Sequence, residues 1–322
     1  MYRIYITDVI PKEGTDLLKK KGFDVSVNVS RKMLTDLDLK DIFSKHDAVI
    51  SLIHNKIDES VIGAASPALK VIANFAVGYD NIDVVAAARR GIIVTNTPGV
   101  AGESVAEHTF LLILAVIKKL IEADRYVRSG KFSGWDPNIF LSSQVFGKTI
   151  GIVGLGKIGN YVGHIAFGGF KMKILYHDIC RFEDFEMLTE AKFVGVEKLL
   201  KEADIVTLHV PLSRETNHLI GKKELGMMKN TAILINTSRG AVVDQEVLID
   251  VLSKNKIAGA GLDVYEDEHH IPHELRVLGN TVLTPHIASA TFETRIAMAK
   301  IAAQNVIDVF EGKEPAGLVK VS

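Results

Sequence analysis

Three charged or titratable side chains in the second half of the chain are spaced so that they can act on one substrate. Arg239, Glu268 and His286 each follow a short β-branched run that predicts a buried strand. In an open parallel sheet, ligands bind outside the carboxyl ends of the strands. We therefore expect a guanidinium, a carboxylate and an imidazole to meet in one crevice.

A glycine-rich turn precedes these residues. Gly154-Leu155-Gly156-Lys157-Ile158-Gly159 is a G-x-G-x-x-G sequence that follows a predicted strand and opens a predicted helix. Gly154 permits the tight turn, Gly156 leaves room for a pyrophosphate, and Gly159 allows helix and strand to pack closely. The helix N-terminus, with Lys157 and Ile158, directs N–H groups at the phosphates. The turn predicts a dinucleotide site, although ligand-free glycine turns are also common.

An acidic residue follows at the end of the next predicted strand. Asp178 lies about 20 residues beyond Gly159, where a carboxylate accepts hydrogen bonds from an adenosine ribose. It would repel a 2′-phosphate, which favours NAD over NADP. Arg181, three residues further on, would weaken that preference. The alternative is a generic βαβ turn with a surface aspartate.

The three strand-end residues suit the reduction of a 2-oxo acid. Arg239 would present a two-pronged donor to the substrate carboxylate and carbonyl. His286 would protonate the developing alkoxide while a nicotinamide delivers hydride to the carbonyl carbon. Glu268 would favour the protonated imidazole and fix its orientation. Alone, each residue has an ordinary structural explanation, so the hypothesis depends on their combination.

The composition excludes several other classes of protein. The 322 residues are 47% hydrophobic and 24% charged, with a formal net charge of −1. There is no global basic field for nucleic acid or an anionic membrane, and no long apolar run. The single Cys180 excludes an internal disulfide and fits a reducing compartment. We expect a soluble, cytoplasmic, two-domain protein.

Short β-branched runs alternate with helical patterns, which predicts parallel sheets covered by helices. Strands are predicted over residues 3–8, 47–53, 69–76, 91–95, 149–153, 173–176, 204–210, 231–236, 258–264 and 281–284. Helices are predicted over residues 14–21, 84–90, 103–120 and 292–311. Residues 121–148, with Gly130, Gly134 and Pro137, interrupt the alternation and predict an irregular arm.

These residues make the chain resemble the D-isomer-specific 2-hydroxyacid dehydrogenase family over nearly its whole length. Besides the glycine turn, the matching segments are 74–83, 96–100, 103–109, 208–212, 236–240, 261–264 and 285–289. The segment 135–141 is most similar to glyoxylate and hydroxypyruvate reductases.

The resemblance implies an α/β fold of two doubly wound parallel-sheet domains. Residues 1–98 and 288–322 would form a discontinuous, flavodoxin-like substrate domain. Residues 99–287 would form the Rossmann NAD-binding domain, and the arm 121–148 would mediate a homodimer. In such reductases a tryptophan in this segment approaches the partner's substrate pocket, and Trp135 would do the same. The alternative is that Trp135 only packs in the interface.

The resemblance also implies individual roles. Arg239 would orient the substrate, Glu268 would tune His286, and His286 would donate the proton. Asp263 would contact the nicotinamide carboxamide, and the backbone amides of Val77 and Gly78 would receive the substrate carboxylate. The remaining cofactor contacts would come from His209, Val210 and Pro211 at the adenine pocket, and from Thr237, Ser238, Arg239 and His286.

Two departures from the family pattern bear on the chemistry. After Glu268, where the family often has proline, His269, His270 and His273 follow, which suggests a metal cluster. Although His269 and His273 are four residues apart, the segment is not the ordered H-E-x-x-H sequence of a helical zinc site, so we expect a solvated loop and no metal. In the loop 51–56 only His54 and Lys56 offer positive charge, where phosphoglycerate dehydrogenases tend to have arginines.

The favoured function is therefore NAD(H)-dependent reduction of glyoxylate or hydroxypyruvate to the D-2-hydroxy acid. D-3-phosphoglycerate and D-lactate-type dehydrogenases are the nearest alternatives. Formate dehydrogenases place an amide beside the histidine, and Glu268 argues against that activity. An NAD-sensing, corepressor-like scaffold is a more distant alternative, because such proteins retain similar residues.

Overall fold

The computed structural model describes residues 1–30 and 32–320 of the chain. It divides into two compact units, Met1–Ala101 with Ala290–Ser322, and Gly102–Ser289. Each unit is built on one parallel sheet with helices on both faces. The predicted fold class, two parallel-sheet α/β domains, is confirmed. Among the described residues, no helix is both long and apolar enough to cross a bilayer.

The first unit has a five-stranded sheet in the flavodoxin-like order β2-β1-β3-β4-β5. Its strands are β1 (Arg3–Ile6), β2 (Asp24–Val27), β3 (Ala48–Ser51), β4 (Val71–Asn74) and β5 (Ile93–Thr95). Its helices are α1 (Lys12–Lys20), α2 (Asp36–Lys45), α3 (Glu59–Gly63), α4 (Val84–Arg89) and, from the end of the chain, α13 (Phe292–Phe310).

Alternation along these strands creates two cores in the first unit. Ile50 faces the α1 and α13 side, whereas Val49 faces the α2, α3 and α4 side. The α1–α13 contact is close, since a Cβ on Gly14 would lie 2.7 Å from the carbonyl oxygen of Ala299. The C-terminal helix is therefore an integral part of this unit.

The second unit has a seven-stranded sheet in the order β12-β11-β10-β9-β6-β7-β8. Its strands are β6 (Thr149–Val153), β7 (Lys173–His177), β8 (Lys192–Phe193), β9 (Ile205–Leu208), β10 (Ile233–Asn236), β11 (Gly259–Leu262) and β12 (Thr281–Leu283). Its helices are α5 (Gly102–Ile117), α6 (Leu120–Arg128), α7 (Lys157–Phe170), α8 (Glu183–Thr189), α9 (Val196–Glu202), α10 (Lys222–Leu225), α11 (Gln245–Ser253) and α12 (His273–Arg276). The strand order reverses between β6 and β9, which is the Rossmann arrangement with its crevice at that point.

The arm differs from its prediction at its start. Residues 120–128 form the helix α6 rather than irregular chain, and α5 ends at Ile117 instead of reaching residue 120. Lys119 has a left-handed φ of 52°, which separates the two helices. Asp124 and Arg128 form an i, i+4 ion pair that stabilises α6. Helix and strand are absent from residues 129–148, all of which are described.

Candidate active site

The register of the second sheet aligns the ends of its strands. Val153, Leu208, Asn236, Leu262 and Leu283 are paired in turn across β6, β9, β10, β11 and β12. The next residue of each strand therefore lies at one edge. These next residues are Gly154, His209, Thr237, Asp263 and Thr284. Four of the five are among the predicted site residues, so the sheet itself gathers them.

His286 and Glu268 are in direct contact. The imidazole Nδ1 lies 2.7 Å from Glu268 Oε1 and 3.0 Å from Oε2. The His286 side chain is 27% exposed, so the ring is accessible to a small molecule. Its backbone has a left-handed φ of 53°, which costs a non-glycine residue about 1 kcal/mol. Hydrogen bonds from the surrounding loop to Asp263 maintain this conformation.

Asp263 organises the loop that carries His286. Its Oδ1 accepts hydrogen bonds from Thr284 Oγ1 at 2.6 Å and the Ile287 amide at 2.9 Å. Its Oδ2 accepts a bond from the Ala288 amide at 2.8 Å. The backbone carbonyl of Asp263 also accepts a bond from the amide of His286, at 2.9 Å. Asp263 is fully buried, and it anchors both sides of the histidine.

A buried histidine completes this network. His108 Nε2, from α5, lies 3.0 Å from Thr284 Oγ1 and 3.4 Å from Asp263 Oδ1. Burial acts to raise the pKa of Asp263, but the hydrogen bonds from His108, Thr284 and the two loop amides outweigh it and hold that pKa below its usual value. Sequence reasoning gave His108 no role. The available signal was a polar residue among the buried positions of an apolar helix.

Arg239 follows β10 on a loop that packs against the Glu268 loop. A Cβ on Gly240 would overlap the backbone of Tyr265 and Glu266, so the two loops touch directly. Tyr265 in turn donates a hydrogen bond to the Thr284 carbonyl at 2.9 Å. The half-buried Arg239 side chain donates from Nη1 to the Ser238 carbonyl at 2.8 Å. The structure therefore places the three predicted catalytic residues on three adjacent, mutually packed loops.

The glycine turn has the shape that a pyrophosphate requires. Gly154 has a φ of 91°, and a Cβ there would lie 2.8 Å from the backbone of His209. A Cβ on Gly159 would overlap the carbonyl of Gly154. Gly156 lies at the N-cap of α7, is exposed, and has no atom within 4 Å of where a Cβ would lie, so no side chain crowds the N-terminus of the helix. These residues fit a dinucleotide, as do Lys157 and Ile158 in the first turn of α7.

Asp178 is fixed against this turn. Its Oδ2 accepts a hydrogen bond from the Leu155 amide at 2.6 Å, and its Oδ1 accepts one from the Ile179 amide at 2.7 Å. The carboxylate therefore has a defined position beside the glycine cradle. Arg181 lies on the same loop but pairs with Glu186.

The other predicted cofactor residues occupy the same strand-end edge. His209 bonds to Thr207 through Nε2 at 2.9 Å, and burial lowers the pKa of His209 to about 3, so the ring is neutral. Thr237 is buried and lies 3.2 Å from Thr109, Oγ1 to Oγ1. Ser238 bonds to Asn236 Oδ1 at 2.9 Å, Val210 is half-buried and Pro211 is exposed.

Val77 and Gly78 lie in the first unit, on the loop after β4. Asn96 Nδ2 donates to the Val77 carbonyl at 2.7 Å, and Asn74 Nδ2 donates to the Gly78 carbonyl at 2.8 Å. With both carbonyls engaged by asparagine side chains, the backbone of this loop has a defined conformation. Its role in binding a carboxylate remains a prediction.

The histidine-rich segment after Glu268 is an exposed loop. Asp267 accepts hydrogen bonds from the amide of His269 at 2.9 Å and from Nδ1 of His270 at 3.2 Å, and His270 is 86% exposed. Over residues 1–30 and 32–320, no three His, Cys, Asp or Glu side chains are grouped to hold a metal ion.

Comparisons with known proteins agree with this geometry. Residues 110–288 match the family described as D-isomer specific 2-hydroxyacid dehydrogenase, NAD binding domain. A glyoxylate reductase from Korarchaeum cryptofilum is 47% identical over 98% of this chain and 95% of its own length. A crystal structure of a protein from Thermus thermophilus superposes with a TM-score of 0.92 at 39% identity, covering 99% of this chain and 100% of that chain.

Several similar solved structures contain a nucleotide, which is NAD in one and NADP or NADPH in others. One of them is an NADPH-dependent glyoxylate/hydroxypyruvate reductase from Sinorhizobium meliloti in complex with NADP and malonate. It has 30% identity and a TM-score of 0.85, and the match covers 99% of this chain and 96% of that chain.

The fold, the site and these similarities define an NAD(P)-dependent oxidoreductase that acts on a CH–OH group. The chain belongs to the D-isomer specific 2-hydroxyacid dehydrogenase family. The predicted resemblance, including the similarity to glyoxylate reductases, is thereby confirmed.

Proposed function

We propose that this protein reduces a small, unphosphorylated 2-oxo acid, glyoxylate or hydroxypyruvate, to the D-2-hydroxy acid with NADH. The observation that carries this proposal is the contact of 2.7 Å between His286 Nδ1 and Glu268 Oε1 at the strand-end edge of the dinucleotide fold. A carboxylate on one ring nitrogen favours the protonated imidazole and orients the other nitrogen. That arrangement suits a proton donor to a carbonyl oxygen.

The residues would divide the reaction between them. When bound, the reduced nicotinamide supplies the hydride that adds to the carbonyl carbon. His286 gives its Nε2 proton to the developing alkoxide, and Glu268 stabilises the imidazolium before the transfer. Arg239 binds the substrate carboxylate through its planar guanidinium. The backbone amides of Val77 and Gly78, on a loop of the first unit, are also proposed to donate to a carboxylate. Asp263 maintains the loop of His286 and would also meet the nicotinamide carboxamide.

The substrate assignment has two supports. The relative from Korarchaeum cryptofilum is named glyoxylate reductase. The loop 51–56 contains no arginine, the residue best suited to a substrate phosphate, and offers His54 and Lys56 instead. A panel of glyoxylate, hydroxypyruvate, pyruvate and 3-phosphohydroxypyruvate with NADH tests this choice. We expect kcat/KM to be highest for glyoxylate or hydroxypyruvate; a higher value for the phosphorylated acid or pyruvate would contradict it. No turnover of any acid would favour a nucleotide-sensing scaffold.

We propose NAD rather than NADP as the principal nucleotide, because the anchored Asp178 would accept bonds from a ribose and repel a 2′-phosphate. Asp178→Ala should bring the affinities for NADH and NADPH closer together. An unchanged ratio would remove the argument from ribose recognition.

We also propose a homodimer formed through the arm, in the cytoplasm. The arm exposes large apolar side chains, including Trp135 at 86%, Leu141 at 65% and Val127 at 57%. Large apolar side chains exposed along one segment favour a surface that a partner covers. Sedimentation velocity should give twice the 35.2 kDa chain mass. A monomer at micromolar concentration would contradict this assignment.

A further inference from the structure

Arg181 and Glu186 form a two-pronged ion pair close to Asp178. Arg181 Nε lies 2.9 Å from Glu186 Oε1, and Nη2 lies 2.6 Å from Oε2. This side-on geometry uses the guanidinium edge that otherwise binds carboxylate or phosphate in a bidentate manner. The Nε–Nη2 edge of Arg181 is thus occupied within the protein.

Tyr176 anchors the acidic partner. The Tyr176 side chain is fully buried in β7, and its hydroxyl donates to Glu186 Oε1 at 2.7 Å while accepting from the Phe182 amide at 2.8 Å. Glu186 is 15% exposed, whereas Arg181 is 57% exposed. The bonds from Arg181 and Tyr176 lower the pKa of Glu186 to about 2, so it stays ionised at neutral pH. Tyr176 therefore fixes the position of Glu186, and Glu186 in turn holds the guanidinium of Arg181.

The position of Arg181 gives this pair a consequence for nucleotide choice. It lies three residues after Asp178, in the loop that follows β7. An arginine near this point of a dinucleotide fold is the group that accommodates a 2′-phosphate. While Glu186 occupies its bidentate edge, Arg181 is unable to present that edge to a phosphate.

We propose that Glu186, supported by Tyr176, is a specificity-determining residue that disfavours NADP by sequestering Arg181. Two features would then select NADH: the repulsive Asp178 carboxylate and the engaged guanidinium. The proposal rests on the proposed NAD site. It differs from a purely structural role for the ion pair because it predicts a change confined to the phosphorylated nucleotide.

The test is Glu186→Gln, which keeps an acceptor for Tyr176 and removes the charge that holds Arg181. Dissociation constants for NADH and NADPH would be measured by fluorescence titration without substrate, with kcat/KM as a second readout. We expect the variant to bind NADPH about fivefold to tenfold more tightly than the parent does. Its affinity for NADH should change by less than about twofold. Arg181→Gln added to this variant should abolish the gain.

A matched control separates this effect from general loss of surface charge. Glu197→Gln breaks the exposed Glu197–Lys223 pair of 2.7 Å in the same unit and should leave the ratio of the two constants unchanged. The test could show that Glu186→Gln folds and binds NADH normally while the ratio of the NADH and NADPH dissociation constants is unchanged. That result would overturn the inference and leave the proposed function intact. A gain that survives removal of Arg181 would also overturn it. A parent that binds neither nucleotide, or prefers NADPH, would overturn the proposed NAD site and this inference with it.

Discussion

The imidazole of His286 and the carboxylate of Glu268 lie 2.7 Å apart, although they belong to loops that follow different strands, β12 and β11. The contact engages Nδ1, so Nε2 is the ring nitrogen that would exchange a proton with substrate. His286 and Glu268 are therefore expected to act together in proton transfer.

Replacing the imidazole should stop the chemistry and preserve nucleotide binding. For His286→Ala we expect kcat to fall by about 10²–10⁴, the usual value of a positioned general acid. The dissociation constant of NADH should change by less than about threefold, since phosphate and ribose contacts lie elsewhere. His270→Ala, on the exposed loop nearby, is the matched control and should retain activity. Equal losses of turnover, nucleotide binding and melting temperature would indicate misfolding instead.

Removing the charge of Glu268 should slow the reduction step. In Glu268→Gln the imidazole loses the carboxylate that contacts its Nδ1 and orients its Nε2, so the rate of reduction should fall by about 10–100-fold. Single-turnover rates of NADH oxidation check this. A parent-like rate in folded Glu268→Gln would show that the carboxylate does not support proton transfer.

Asp263→Asn should destabilise the loop of His286. Asparagine provides one acceptor oxygen where the carboxylate provides two, so a buried amide loses its partner at a cost of about 2–3 kcal/mol. Because the folded-state pKa of Asp263 is lowered, its stabilisation is fully present above the unfolded pKa of about 3.9 and is lost as the pH falls through the folded value. The difference in unfolding free energy between parent and variant should thus narrow below about pH 4. Urea titrations that show an equal difference at all pH values would contradict this.

Arg239→Lys should weaken substrate binding without affecting the fold. A lysine ammonium is a point charge and does not reproduce two parallel hydrogen bonds, so kcat/KM for glyoxylate should fall by about 10²-fold. Arg214→Lys, an exposed arginine of the same unit, should have no effect. If Arg239→Lys kept the parent kcat/KM, the carboxylate-binding role would be wrong.

The sequence predicts the central strands and the edge strands β5 and β12, but it does not predict the edge strands β2 and β8. Buried parallel strands such as β9 and β10 are nearly continuous apolar runs, and their predicted bounds agree with the structure within a few residues. The edge strand β2 alternates between exposed and half-buried residues, and β8 has two exposed residues, so neither carries that pattern. The helix α6 was missed because the glycines and proline that follow it dominated the interpretation of the arm.

The candidate site shows a similar division. Residues at strand ends could be inferred because register and topology bring them to one edge. Contacts that depend on side-chain conformation could not be inferred, such as His108 with Asp263, or Glu186 with Arg181. Such pairs join residues on different elements, and neither spacing nor composition encodes which rotamers meet.

A double-mutant cycle on the rate of the reduction step tests the Glu268–His286 pair most directly. The measurement is single-turnover oxidation of NADH by glyoxylate in the parent, in Glu268→Gln, in His286→Ala and in the combined variant. If the two residues act as one proton-donating unit, adding Glu268→Gln to His286→Ala should cause no further loss of rate. Losses that multiply in the combined variant would show that the two side chains act independently and would contradict the account.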